Sequence, residues 1–217
     1  MATSGRLYSA AAERNRGPIL DVLRPRLSEF VRKRGKAANV LEVAAGSGQH
    51  AAFLASRLGR DSVVQAWHPT DLRVETKSVC AWVDEEEARE IVRVPRELNA
   101  SDDEWPSNWR SEEITHIFVA NLCHISPWAA TLGLLKGAGR LIPPGGSLFV
   151  YGPFMVDQAH TASSNAAFDE SLRARNESWG IRDIGAISVE AGKNGLILTE
   201  KVQMPANNFT LVLEKPE

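Results

Sequence analysis

A chain of 217 residues is long enough to bury a proper core and fits one domain. Its 43% hydrophobic and 24% charged residues are those of a globular protein, and no window reaches the ~18–20 uninterrupted apolar residues of a membrane span. A formal net charge of −2 argues against a general binder of nucleic acid or of an anionic membrane.

Met1–Arg16 holds no apolar signal region, and Cys80 and Cys123 have no metal-ligand spacing. The expectation is a cytoplasmic protein with reduced thiols, no metal and no membrane partner. Pro18–Arg34 carries a helical stripe (Ile19, Val22, Leu23, Leu27, Phe30, Val31), with Pro25 expected to kink it. The basic cluster from Arg24 to Lys36 reads as a solvated helix end closed by Gly35, with a patch for an anionic partner as the alternative.

Asn39–Ala45 reads as a buried strand and Gln49–Leu58 as a helix stopped by Gly59. Val63–Trp67 is a second strand, a helix with Val79, Trp82 and Val83 on one face follows, and Ile91–Val94 is a third strand. Acidic Asp84–Glu87 reads as a solvated face rather than a metal site. Ile114–Ala120 is the fourth strand. Ser126 is expected to cap a helix that has Pro127 at its first position and buries Trp128, Leu132 and Leu135.

Pro143–Gly146 turns the chain into a fifth strand, Ser147–Tyr151. Helices over about 164–179 and 183–191 follow. Leu196–Gln203 and Asn208–Glu214 close the chain as strands, and the short Met204–Asn207 link allows only an antiparallel hairpin. The alternation predicts an α/β fold: a three-layer sandwich with a seven-stranded, mostly parallel sheet ending in an antiparallel hairpin. It is read as a single domain, 1–217, with 1–36 as an N-terminal helical cover and 37–217 as the core.

Ligands in open α/β sheets gather beyond the carboxyl ends of the strands, so four strand ends are candidate sites. The first is Glu42-Val-Ala44-Ala-Gly46-Ser-Gly48: an acid on the strand, then glycines that let the backbone approach a cofactor, then a helix N-terminus that suits a carboxylate. A tight strand–helix turn is the plainer reading of the same residues. The second carries Asp71 and Leu72, where a carboxylate accepts the two ribose hydroxyls of a nucleoside or simply caps the next helix. The third has Asn99 and Ala100, where the asparagine carbonyl can accept and its amide donate to a ligand, or Asn99 is simply a loop asparagine. The fourth has Asn121 and His124 as candidates to orient a nucleophile and take its proton. Trp128 beyond them is a core residue or a substrate wall.

At these residues the chain resembles the class I S-adenosylmethionine (SAM)-dependent methyltransferases, and within them the methyltransferase-like protein 26 family. The resemblance is carried by residues 12–20 (AERNRGPIL), Asn121–Trp128, Tyr151–Phe154, Ser164-Asn165 with Phe168-Asp169, Gly180–Asp183 and Met204–Asn208. It implies a Rossmann-like fold, SAM as cofactor and no securely known substrate. Leu98-Asn99 stands where Leu-Asp is expected, which weakens the adenine contact without abolishing it.

Arg14 and Asn15 are candidates for the methionine carboxylate of SAM. Tyr151, Asn165, Asp169, Arg175 and Asn207 join Trp128 as candidate substrate residues. The resulting reading is methyl transfer from SAM to an unidentified, small polar acceptor. A protein substrate stays open, nucleic acid is disfavoured, and a SAM-binding sensor or scaffold without transferase activity is the alternative.

Overall fold

The computed structural model describes residues 5–110 and 112–217, except the side chain of Arg110. Its elements are α1 (Ala10–Arg34), β1 (Ala38–Val43), α2 (Gln49–Arg60), β2 (Val64–Asp71), α3 (Thr76–Glu85) and β3 (Arg96–Glu97). A 3₁₀ turn (Ser107–Arg110), β4 (His116–Ala120), α4 (Trp128–Leu141), β5 (Ser147–Gly152), β6 (Phe154–Val156) and β7 (Ala159–His160) follow. The chain closes with α5 (Ser163–Arg175), β8 (Arg182–Asp183), α6 (Ile184–Lys193), β9 (Ile197–Met204) and β10 (Asn208–Glu214).

Seven strands form one sheet in the order β3-β2-β1-β4-β5-β10-β9, with helices around it. The pairings β1–β2 and β2–β3 are parallel, while β10 runs antiparallel to both β5 and β9. A small second sheet, β7-β6-β8, was not anticipated from the sequence. No described helix is long and apolar enough to cross a membrane.

Packing divides the chain into two compact units: residues up to Leu98 with Asn108–Phe118, and Asn99–Ser107 with Val119–Glu217. In the first unit, α1 runs through both Pro18 and Pro25 as 25 continuous residues. Each proline removes a backbone hydrogen bond at about 3 kcal/mol. Burial of Ile19, Leu20, Val22, Leu23, Leu27 and Phe30 at about 1.5–3 kcal/mol each outweighs that, so the helix continues through both. Gly35 ends the helix in the left-handed region, its N–H bonded to Val31 O at 2.8 Å.

Every member of the acidic run at the end of α3 is paired. Asp84 meets Arg89, Glu85 meets Arg6, Glu86 meets Arg16 and Arg57, and Glu87 meets Arg60. Arg16 and Arg57 also stack over the Phe53 ring, with Cζ at 4.5 and 3.9 Å from its centroid. Glu86 is the half-buried centre of this network, which ties α1 and α2 to α3. The Asp84–Glu87 run is therefore an arginine clamp.

Other expectations shift in detail. Helix α2 runs past Gly59 to Arg60, because Gly59 is the point of contact with Ile91. The third strand forms at Arg96–Glu97, while the expected Ile91–Val94 stretch contributes only a bridge from Val92 to Trp67. In the second unit Ser126 does not cap α4: its hydroxyl donates to Leu122 O at 2.8 Å, and Pro127 is the cap residue. Leu132 is 37% exposed rather than buried, whereas Leu135 is fully enclosed. Gly133 of α4 is indispensable, since a Cβ there would lie 1.9 Å from the Ala100 carbonyl oxygen.

The β1–α2 turn has three left-handed residues, Ala44 (φ 60°), Gly46 (φ 55°) and Gly48 (φ 86°). A Cβ on Gly48 would lie 2.7 Å from Val79 Cα, a backbone atom that cannot swing aside. We predict that Gly48→Ala lowers stability by roughly 2 kcal/mol or more, from left-handed strain plus this clash. Ala44→Gly should be neutral or stabilising by up to about 1 kcal/mol, since relief of strain exceeds the added unfolded-state entropy. Urea unfolding of both variants checks the opposed signs.

Burial holds four histidines neutral: His50, His68 and His124 are pushed down to about 4 and His116 to about 3. The unfolded chain protonates them near 6.5, so their contribution is complete above that pH and is lost as pH falls toward 4. His68 is 2% exposed and neither ring nitrogen has a hydrogen-bond partner. His68→Phe is expected to remove roughly 2–3 kcal/mol of the stability difference between pH 7 and pH 4. Urea midpoints across that range measure it; an unchanged pH slope would refute the assignment.

Candidate functional site

In the first unit, the turn after β1 is built around two acids. Glu42 is 1% exposed on β1; its Oε2 accepts the Trp67 indole N–H at 2.7 Å, and its carbonyl accepts the Thr70 hydroxyl at 2.7 Å. Burial pushes its carboxyl up to about 8; the Trp67 hydrogen bond opposes this and the nearby Asp71 charge reinforces it. Asp71, at the end of β2, accepts the Gly46 N–H at 2.8 Å on one oxygen and the Arg73 N–H at 3.3 Å on the other. The helix-cap role open to Asp71 in the sequence is filled by Glu75, which makes no side-chain cap bond. Leu72 beside it is 69% exposed.

The α2 N-terminus follows directly. Gly48 is its cap residue and offers no side chain to the first-turn N–H groups; only Gln49 N approaches a hydroxyl, Ser47 Oγ at 3.4 Å. A Cβ on Gly46 would meet nothing within 4 Å, so the space before the turn is open. These features match the chemistry of SAM: two acids for a diol and a cationic group, and uncapped N–H groups for a carboxylate.

Two layers back the turn. Ser78 of α3 donates to Ser47 O at 2.7 Å and accepts Leu7 N–H at 2.9 Å, while the Trp82 indole donates to Leu7 O at 2.8 Å. Gln49, fully buried, accepts from Ser9 N–H and from the Ser47 hydroxyl. Sequence reasoning missed Gln49 and Ser78; their polarity beside a glycine turn was the only signal. Arg14 is exposed, whereas Asn15 is buried with its side-chain oxygen 2.6 Å from His50 Nε2. Neutral His50 therefore donates, and Asn15 serves to hold it.

In the second unit, Asn99 closes a local turn: its Oδ1 accepts Ser101 N–H at 3.0 Å and its amide donates to Asp102 at 2.7 Å. One lone pair and one N–H remain for a ligand. Ala100 is buried against α4. Asn121, half-buried at the end of β4, is left-handed (φ 63°), and its N–H donates to Tyr151 O at 2.9 Å. His124 is 5% exposed and packs edge-on to Phe168, ring centroids 5.6 Å apart. Its neutrality comes from burial and then from the Arg182 charge.

Arg182 bonds three carbonyls, those of Cys123, Ser126 and Ser178, at 2.8–2.9 Å, and thus fixes the segment that carries His124. Trp128 is half-buried with the Arg182 guanidinium 5.7 Å from its ring, and Tyr151 is buried at the end of β5. Asn165 donates to Asn207 O at 3.0 Å and Thr161 Oγ1 at 3.1 Å, tying α5 to the left-handed hairpin turn at Asn207. Asp169 accepts Ile181 N–H at 2.6 Å and Arg173 Nε at 2.9 Å. Arg175 stacks 5.1 Å from the Trp179 ring.

Several solved structures with the same fold are described as methyltransferases. An O-methyltransferase family protein from Burkholderia thailandensis aligns with TM-score 0.74 at 18% identity over 95% of this chain and 58% of its own. The S-adenosylmethionine-dependent methyltransferase SibL gives 0.70 at 18% identity over 96% of this chain and 56% of its own. Human N-acetylserotonin methyltransferase in complex with SAM gives 0.68 at 13% identity over 95% and 53%. The chain spans a little over half the length of these proteins, and at identities this low the likeness establishes the fold alone. A family model described as protein of unknown function (DUF938) matches residues 6–215, and the chain belongs to that family.

Proposed function

We propose that the chain is a SAM-dependent methyltransferase acting on a small polar acceptor. The observation that carries this is the Glu42–Gly48 turn, open in front of Gly46 and bonded through the Gly46 N–H to Asp71. The shared fold with methyltransferases and the family stretches of the sequence support the same reading. So does the resemblance to the methyltransferase-like protein 26 family.

When bound, SAM supplies a methyl group on a sulfonium, already a good leaving group. The protein's work is then alignment and deprotonation. In this proposal Asp71 keeps lone pairs for the ribose hydroxyls, the uncapped first turn of α2 takes the carboxylate, and Leu72 and Asn99 meet the adenine. Glu42 answers the positive charge of the ligand. For the acceptor, Asn121 orients the nucleophilic atom and neutral His124 takes its proton. The Burkholderia thailandensis protein belongs to an O-methyltransferase family, which supports a hydroxyl acceptor. A cytoplasmic setting is part of the same proposal.

Asp71→Ala is expected to weaken SAM binding about a hundredfold, the combined effect of losing the ribose hydrogen bonds and of loosening the turn at Gly46, and to lower the melting temperature as well. Isothermal titration measures it, and unchanged affinity would sink the site. His124→Gln should keep SAM affinity while slowing single-turnover transfer by about 10²–10⁴. Tight SAM binding with no transfer to metabolite or protein mixtures would favour a sensor or scaffold.

A carboxyl that titrates near 8 makes cation binding pH-dependent. Below that pH SAM must displace the Glu42 proton, so affinity should rise between pH 6 and pH 8 and level off above it. Glu42→Gln should remove the slope. Titrations in buffers of different ionisation enthalpy count the proton released.

A further inference from the structure

The first unit carries a second concave site, a groove of about 240 Å³ between α3 and the segment from Arg89 to Pro95. Its wall is apolar: Val79, Cys80, Val83, Val92, Val94 and Pro95. Val94 is 79% exposed, an apolar residue left uncovered at the mouth. The charges around the groove do not cancel. Asp84 and Arg89 neutralise each other at 2.6 Å, but Arg93 is held only by carbonyls, Glu90 O at 2.9 Å and Gln65 O at 3.4 Å. Among the described residues no carboxylate stands within ion-pair distance of Arg93.

We propose that this groove binds a small aryl carboxylate, its ring against the valines and its carboxylate on Arg93. The size fits, since a dry apolar cavity of about 150 Å³ accommodates benzene and this groove is larger by more than half. The charge fits because a guanidinium with two of its five N–H groups on carbonyls keeps a fork free for a carboxylate. Neutral apolar molecules would fill the valine wall and leave the Arg93 charge unanswered. Val79 both lines the groove and backs Gly48, so the groove adjoins the Glu42–Gly48 turn, but no residue of the turn lines it and ligand binding there does not depend on SAM.

Cys80 is exposed on the groove wall, and Cys123 is buried. Cys80 alkylation by iodoacetamide, followed by mass spectrometry on the full chain, therefore reports occupancy. Naphthoate is the probe and naphthamide its neutral counterpart. Naphthoate is expected to protect Cys80 at concentrations about tenfold lower than naphthamide, the worth of one charge-assisted hydrogen-bonded pair. Arg93→Gln should erase that preference. Saturation-transfer NMR of naphthoate gives a second measurement, and Cys80→Trp, which fills the groove from an exposed position, should abolish the signal. Equal protection by the two probes, no protection by either, or a preference that survives Arg93→Gln would overturn the proposal.

Discussion

The hydrogen bond from the Gly46 N–H to the Asp71 carboxylate joins the ends of β1 and β2, and the candidate site depends on it. It fixes the turn at the residue where the chain is left-handed and where open space begins. It also commits only part of the Asp71 carboxylate, because an ionised carboxyl has about four acceptor positions and two are used. A side chain that shapes the loop thereby remains available to a ligand. The contact of Gly48 with Val79 and the Ser78–Ser47 hydrogen bond fix the far side of the same loop, leaving it little freedom to collapse.

Charge in the first unit is sorted by depth. The interior holds ionisable groups in their neutral forms: Glu42 raised to about 8, His50 and His68 lowered to about 4, and His116 lowered to about 3. The surface holds many of its full charges in pairs, with the arginine clamp on Asp84–Glu87 as the densest case. Exposed pairs of this kind are worth little singly, and networks around a half-buried member are worth more. Glu86 is that member, and its two arginines share one aromatic ring, so α1, α2 and α3 are linked by packing as well as by charge. Glu42 differs in kind from the histidines. Its neutral state is favourable to the fold but is the wrong form for meeting a cation, which links ligand binding to proton release.

Periodic and turn-bounded parts of the sequence were legible. The closing hairpin, the α1 C-terminus at Gly35 and the buried face of α3 follow from residue spacing, and the structure has them within a residue or two. What was not legible depends on distant partners. The turn of α1 before Pro18 gave no separate signal, and the helix begins at Ala10 rather than at Pro18. Ser126 looks like a cap until its hydroxyl finds Leu122 O. Ala44 gives no hint of a left-handed backbone, a conformation that glycine would have announced.

The same distinction governs the candidate substrate residues of the second unit. Asn165, Asp169 and Asn207 are polar residues near the end of the chain, and residue type suggests a polar binding surface. In the structure Asn165 holds the hairpin turn through the Asn207 carbonyl, and Asp169 holds the backbone at Ile181 while pairing with Arg173. Arg182 in turn holds Cys123 and Ser126. These groups form a frame that positions His124 and its aromatic neighbour Phe168. Asn165 donates both amide hydrogens to the protein but keeps its Oδ1, and Asp169 keeps acceptor positions beyond the two it uses, so these side chains hold the frame and retain some capacity for a ligand. The acceptor is therefore best sought where groups less committed to the frame, one face of Trp128, the Asn121 side chain and the imidazole of His124, meet the remaining acceptors of Asn165 and Asp169.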